Sequence, residues 1–204
     1  MKNNKNTAIK KKFIENYFSE IKSSADLIDK KKIETLVRYL VNIRNLKGRI
    51  FFAGVGGSAG NCSHAVNDFR KLCGIESYSL SENVSELTAR INDEGWEDSY
   101  ADTLRASNFS KKDILFVFSV GGGNLKKKVS VNLIKCIKYA KSKNGKVISI
   151  VGKKSGYAYK NSNISLHIGV NNEKLITPIT ESYQAIVWHC LVSHPNLQIN
   201  ATKW

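Results

Sequence analysis

The chain has 204 residues, enough for one domain with a substantial core, and its 42% hydrophobic and 24% charged content excludes a disordered or fibrous polypeptide. The formal charge is +15, from 32 basic against 17 acidic side chains, which raises nucleic acid or another anion as a partner. No apolar run approaches the ~20 residues of a membrane span, and the lysine-rich start lacks the apolar stretch of a secretory signal, so a cytoplasmic protein without a membrane partner is expected.

The charge is unevenly spread. Residues 114–172 carry eleven lysines and no acid, whereas residues 76–102 carry eight acids and one arginine, Arg90. The lysines fall at helix-surface spacing without interleaved aromatics, the pattern of a solvated surface rather than a nucleic-acid face. Attraction of a phosphorylated metabolite is a by-product of such a surface. Four cysteines, Cys62, Cys73, Cys136 and Cys190, form no CxxC pair and read as free buried thiols.

Two prolines and no linker or repeat point to a single unit over residues 1–204, with helices in 1–48 and a βαβ core in 49–204. Ile9, Phe13, Ile14, Tyr17, Phe18 and Ile21 form one helical stripe, and Asp29 can cap a second helix holding Ile33, Leu36, Val37, Leu40, Val41 and Ile43. Together they make an N-terminal arm. The period then changes. Residues 49–54, 114–119 and 146–152 are short apolar runs typical of strands buried on both faces, and 76–80 and 164–168 are weaker, alternating candidates. Helical stretches at 57–72 and 125–143 separate the strong runs, and a closing helix is expected at 180–192. The fold class is therefore α/β, a doubly wound parallel sheet of about five strands flanked by helices.

Ligands of such sheets bind at the carboxyl ends of the strands, where strand order reverses. Two glycine-rich turns follow strands here, Gly54–Gly60 and Ser119–Asn124. Gly56, Gly57, Ser58, Ser119, Gly121, Gly122 and Asn124 are accordingly candidates for holding a phosphate through backbone N–H groups and hydroxyls. Neither turn is a P-loop or a dinucleotide fingerprint. His64 and Asp68, four apart, share a helix face: either a surface pair or the start of a metal or acid–base site. Glu181 and His189 lie eight apart in the last helix, ~12 Å along an ideal axis, so one ion touching both needs a bent first turn or a long reach. Residues 91–98, with Asn92 and Asp93, read as a polar turn feeding a short helix. His167 and His194 read as structural.

Taken together, the GxGGSA turn with His64 and Asp68, the Leu87–Gly95 stretch, the Ser119 turn, and Glu181 with His189 resemble the phosphoheptose isomerases, a branch of the sugar isomerase (SIS) domain family. The resemblance covers nearly the whole chain. It implies isomerisation of sedoheptulose 7-phosphate to a manno-configured heptose 7-phosphate, feeding lipopolysaccharide or capsule synthesis, in a homotetramer with sites at subunit interfaces. It implies Asp68 and His189 as the acid/base pair, and a zinc site of His64, Asp68, Glu181 and His189. Ser58, Ser119 and Asp93 then match substrate-binding positions, with Asn92 and Glu181 beside them. The family's hydroxyl-rich phosphate loop is here Ser119–Asn124, which leaves phosphate to backbone N–H groups and Ser119; Glu181 stands where glutamine is usual. The rival readings are a non-catalytic sugar-phosphate-binding regulator of the same domain type and, more weakly, a nucleic-acid binder.

Overall fold

The computed structural model describes residues 2–202, with side chains from Lys12 onward, so Ile9 of the expected stripe lies outside the described side chains. Helices α1 (Lys2–Asp26) and α2 (Lys30–Asn45) form the arm. The Asp29 side chain accepts the Lys32 N–H at 3.1 Å and caps α2 as expected. Leu36, Val37, Leu40 and Ile43 make its buried stripe. The α1 stripe divides: Tyr17 and Ile21 pack against the core, while Phe13, Ile14 and Phe18 remain 58%, 57% and 65% exposed. Six apolar positions span a wider arc than one neighbouring helix can cover.

The five strands are β1 (Ile50–Ala53), β2 (Ser77–Ser79), β3 (Ile114–Ser119), β4 (Lys146–Val151) and β5 (Ile164–His167), all parallel, in the order β2-β1-β3-β4-β5. Phe52, Phe116, Ile148 and Ile164 align across four of them. Alternate residues feed two cores. Phe52, Phe116, Phe118 and Ile150 face α2, α3 (Gly57–Cys73) and α8 (Ile176–Val192). Phe51, Leu115, Val117 and Val147 face α5 (Ser99–Ala106), α6 (Val131–Ser142) and α7 (Tyr157–Asn161). This is the doubly wound three-layer arrangement, and strand order reverses between β1 and β3.

Three expectations need correction. The helix foreseen at 125–143 begins only at Val131, because residues 124–129 fold into a hairpin. Asn124 and Val129 exchange backbone hydrogen bonds of 2.9 and 3.0 Å, and the Asn124 side-chain oxygen accepts the Lys127 N–H at 3.0 Å. The closing helix starts four residues early, at Ile176, with Pro178 in its first turn, where a missing N–H costs nothing. Ile91–Asp93 close a further helix, α4 (Val84–Asp93), and the turn lies beyond it. All four cysteines are free; Cys190 is exposed, and burial raises the thiol pKa of the other three. No described helix is long and apolar enough to cross a membrane.

Candidate active site

Both glycine turns leave strands that flank the reversal point, as the sequence led one to expect. Tyr100 anchors the first: its hydroxyl, buried and pushed up to about 12 by that burial, donates to the Gly54 carbonyl at 2.7 Å. Gly56, at φ +63°, precedes α3 in a conformation that side chains disfavour. Helix α3 then runs against α8. Ser58 is buried, and its hydroxyl accepts from Gln184 Nε2 at 3.1 Å. Asn61 Nδ2 donates to both Gln184 Oε1 and the Glu181 carbonyl at 2.9 Å. Ser58, expected to bind substrate, is thus part of a clasp between the two helices.

Two turns along α3, this packing assembles the polar cluster. His64 Nε2 and His189 Nε2 lie 3.5 and 3.4 Å from the same oxygen, Asp68 Oδ2. Asp68 is only 7% exposed, whereas the two imidazoles are about half exposed, at 56% and 50% of their side-chain surface. The buried Trp188 indole N–H donates to Asp68 Oδ2 at 3.1 Å, and Asn67 Nδ2 donates to Oδ1 at 3.1 Å. Trp188 also stacks on Phe118 with centroids 5.9 Å apart, so the core itself fixes the carboxylate. One donor atom from each of His64, Asp68 and His189 lies within 4.8 Å of the others.

Glu181 does not join them. Eight residues of helix hold it away from His189, and its carboxylate stands over Gly57, where an added methyl would lie 2.6 Å from Oε2. The expected quartet of ligands is therefore a trio, and the ~12 Å spacing noted in the sequence is the reason. The Glu181 carboxylate makes no hydrogen bond or ion pair with any described residue, although the side chain is partly exposed.

The second turn is committed largely to packing. Ser119 Oγ accepts the Gly122 N–H at 3.0 Å, and the Gly122 and Gly123 carbonyls accept from Ala158 and Tyr157 at 2.8 and 3.0 Å. Gly122 lies against Gly156, 3.2 Å from where a methyl would reach, and Gly121 remains exposed. Asn124 spends its side chain in its own hairpin. Asn92 and Asp93 are exposed at the end of α4, hydrogen-bonded to each other at 2.7 Å and with no bond to the trio. Trp188, Asn67, Gln184 and Asn61 were missed. The one available signal was a tryptophan beside His189 in a buried helix, whose N–H must find an acceptor.

His167 and His194 lie apart from the cluster. His194 accepts the Asn196 N–H at 3.2 Å and faces Glu34 at 3.6 Å. Burial first, then the charge of Lys154, lowers the His167 pKa.

The three-layer α/β domain carries a histidine–carboxylate cluster between α3 and α8, and residues 12–152 match the sequence pattern of the SIS domain. The chain belongs to the SIS domain family. Among its curated relatives is the phosphoheptose isomerase of Helicobacter pylori (strain ATCC 700392 / 26695), 28% identical over 190 residues, or 90% of this chain and 91% of that one. Another is the lincomycin biosynthesis protein LmbN of Streptomyces lincolnensis, 30% identical over 154 residues, 72% of this chain; the match spans only 56% of that longer protein. The phosphoheptose isomerase GmhA of Neisseria gonorrhoeae superposes with a TM-score of 0.77 at 20% identity, covering 89% of this chain and 97% of that one.

Proposed function

We propose that the chain is an aldose–ketose isomerase that converts D-sedoheptulose 7-phosphate to D-glycero-D-manno-heptose 7-phosphate through an enediol, in the cytoplasm and for heptose-containing lipopolysaccharide or capsule. The observation that carries the reading is the trio His64, Asp68 and His189 on the facing helices α3 and α8, in a chain whose relatives include proteins named phosphoheptose isomerase. His189, half exposed, is placed to pass a proton between the two sugar oxygens, with Asp68 Oδ2 3.4 Å from its Nε2. The excess of lysine draws the phosphate toward the protein.

The trio also suits zinc. Two imidazoles and a carboxylate are a zinc donor set, three protein ligands leave a position open for substrate, and Trp188 with Asn67 supply the outer hydrogen bonds that orient the carboxylate. When bound, zinc would withdraw electron density from the sugar's carbonyl and hydroxyl oxygens. The exposed Phe13, Ile14 and Phe18 fit burial against further copies in a tetramer.

The test is a proton NMR assay of the purified chain with sedoheptulose 7-phosphate. An aldose anomeric signal is expected to grow in. Saturable binding with no new signal would instead establish the non-catalytic regulator.

A further inference from the structure

A second cleft opens at the same carboxyl edge of the sheet, beyond β4 and β5, with a volume of about 510 Å³. It shares no lining residue with the trio or with the two glycine turns. Its base is Gly152, buried where β4 ends, and Ile176, the first residue of α8. The base is fixed: the Gly152 N–H donates to the Val120 carbonyl at 3.0 Å, and a side chain at Gly152 would collide with the Thr180 hydroxyl. Thr180 Oγ1 is itself buried there with no hydrogen-bond partner, a polar atom that the fold leaves unused.

The walls are basic. Lys153 and Lys154 are exposed, and neither ammonium group has an acidic partner among the described residues. The Ser155 hydroxyl beside them is likewise bound by no described residue. His167, the last residue of β5, brings a half-buried imidazole whose ring meets Tyr159 edge-on, with centroids 6.3 Å apart. One acid faces this group, the exposed Glu173 of the 3₁₀ turn Glu173–Leu175. Two lysines against one glutamate leave the cleft one positive charge, and two when His167 is protonated. Ammonium, hydroxyl and imidazole donors converging on one cavity match the acceptor oxygens of a phosphate. A lysine surface that is merely solvated has no need of the cavity, the hydroxyl or the imidazole.

We propose that this cleft binds a phosphate group between Lys153, Lys154, Ser155 and His167, at a site separate from the reaction crevice. Glu173 is placed to accept from a hydroxyl on the carbon skeleton of a phosphate ester, which a free phosphate lacks. The proposal does not rest on the isomerase reading. Its electrostatics give it a built-in reporter. Burial and then the charge of Lys154 hold the His167 pKa down, Lys32 adds to them, and the Gly152 backbone acts the other way. Lys32 reaches this corner from α2, donating to the Ser165 carbonyl at 3.0 Å. An anion seated against Lys154 offsets its repulsion, so anion binding and protonation of His167 favour each other.

The experiment is histidine NMR of the whole chain, titrated with inorganic phosphate and with glycerol 3-phosphate at constant ionic strength. Wild type is compared with Lys153→Gln/Lys154→Gln and with Lys138→Gln/Lys141→Gln, which removes the same charge from the exposed side of α6. The His167 signal is assigned by its loss in His167→Gln, and the His64 and His189 signals report any occupancy of the reaction crevice separately. The His167 signal is expected to shift saturably, with its pKa raised in the saturated protein. Lys153→Gln/Lys154→Gln should weaken that binding by at least about tenfold and the α6 variant by less than about twofold. Tighter binding of glycerol 3-phosphate, lost in Glu173→Gln, identifies an ester as the occupant; equal affinities identify free phosphate. A His167 signal that stays in place throughout both titrations overturns the proposal. So does a shift weakened equally by the two double variants, which would make the lysines a diffuse charged surface only.

Discussion

Gly57→Ala separates the fold from the chemistry. Gly57 opens α3, and its φ is not in the left-handed region, so alanine is compatible with the backbone and favours the helix by up to about 1 kcal/mol. For a chain of this size that is a rise of roughly 0–4 °C in Tm. The added methyl, however, lies 2.6 Å from Glu181 Oε2, 2.7 Å from Cδ and 2.8 Å from Oε1. Ordinary contact begins near 3.4 Å, so the carboxylate must retreat by roughly 0.8 Å, which the end of a flexible side chain can do at little cost to stability. Glu181 is expected from the sequence to meet the substrate, and misplacing a substrate-positioning group by about 1 Å costs on the order of 100-fold in rate. Calorimetry with the NMR turnover assay should therefore find a variant as stable as wild type, or more so, with kcat lowered by about 100-fold. A kcat within threefold of wild type would show that the position of Glu181 over Gly57 does not matter to the reaction.

Trp188→Phe keeps the aromatic packing on Phe118 but removes a hydrogen bond to a buried carboxylate. A loss of about 1.5–3 kcal/mol in denaturant unfolding and a 10- to 100-fold weaker zinc affinity by competition titration are expected. Asp113→Ala probes the other end of the sheet, where the buried carboxylate accepts from the Arg49 backbone and guanidinium and from Ser110. Removing it leaves the guanidinium without its ionic partner, for a loss of about 3–5 kcal/mol in unfolding with kcat unchanged. The third concerns acid. Because the folded chain lowers the His167 pKa, it binds that proton less readily than the unfolded chain; this contribution is complete above pH 6.5 and is lost as pH falls below it. In Lys154→Gln, imidazole titration by NMR should find the His167 pKa moved upward and the decline in acid correspondingly shallower.

The strands were legible because residues buried on both faces of a parallel sheet must be apolar almost continuously, and β3 matches its sequence run residue for residue. The glycines that follow β1 and β3 marked the reversal point for the same reason: a chain leaving a strand for a helix there needs close backbone approach. His64 and Asp68 could be paired from four-residue spacing alone. The bond between Asp68 and Trp188 joins positions 120 apart in sequence, and only the packing of α3 on α8 creates it. Burial of Ser58 and solvent exposure of the Phe13–Phe18 face were equally unreadable, since periodicity says that a face is apolar but not what covers it. The Asn124–Val129 hairpin was hidden by lysines that suit a helix surface as well as a turn.

The most direct test of the reacting centre is the turnover of sedoheptulose 7-phosphate by His189→Ala beside wild type. Because His189 is half exposed, the variant should retain the wild-type Tm while its kcat falls by about 100- to 10,000-fold. A folded variant that still produces the aldose within tenfold of the wild-type rate would place the chemistry elsewhere in the molecule.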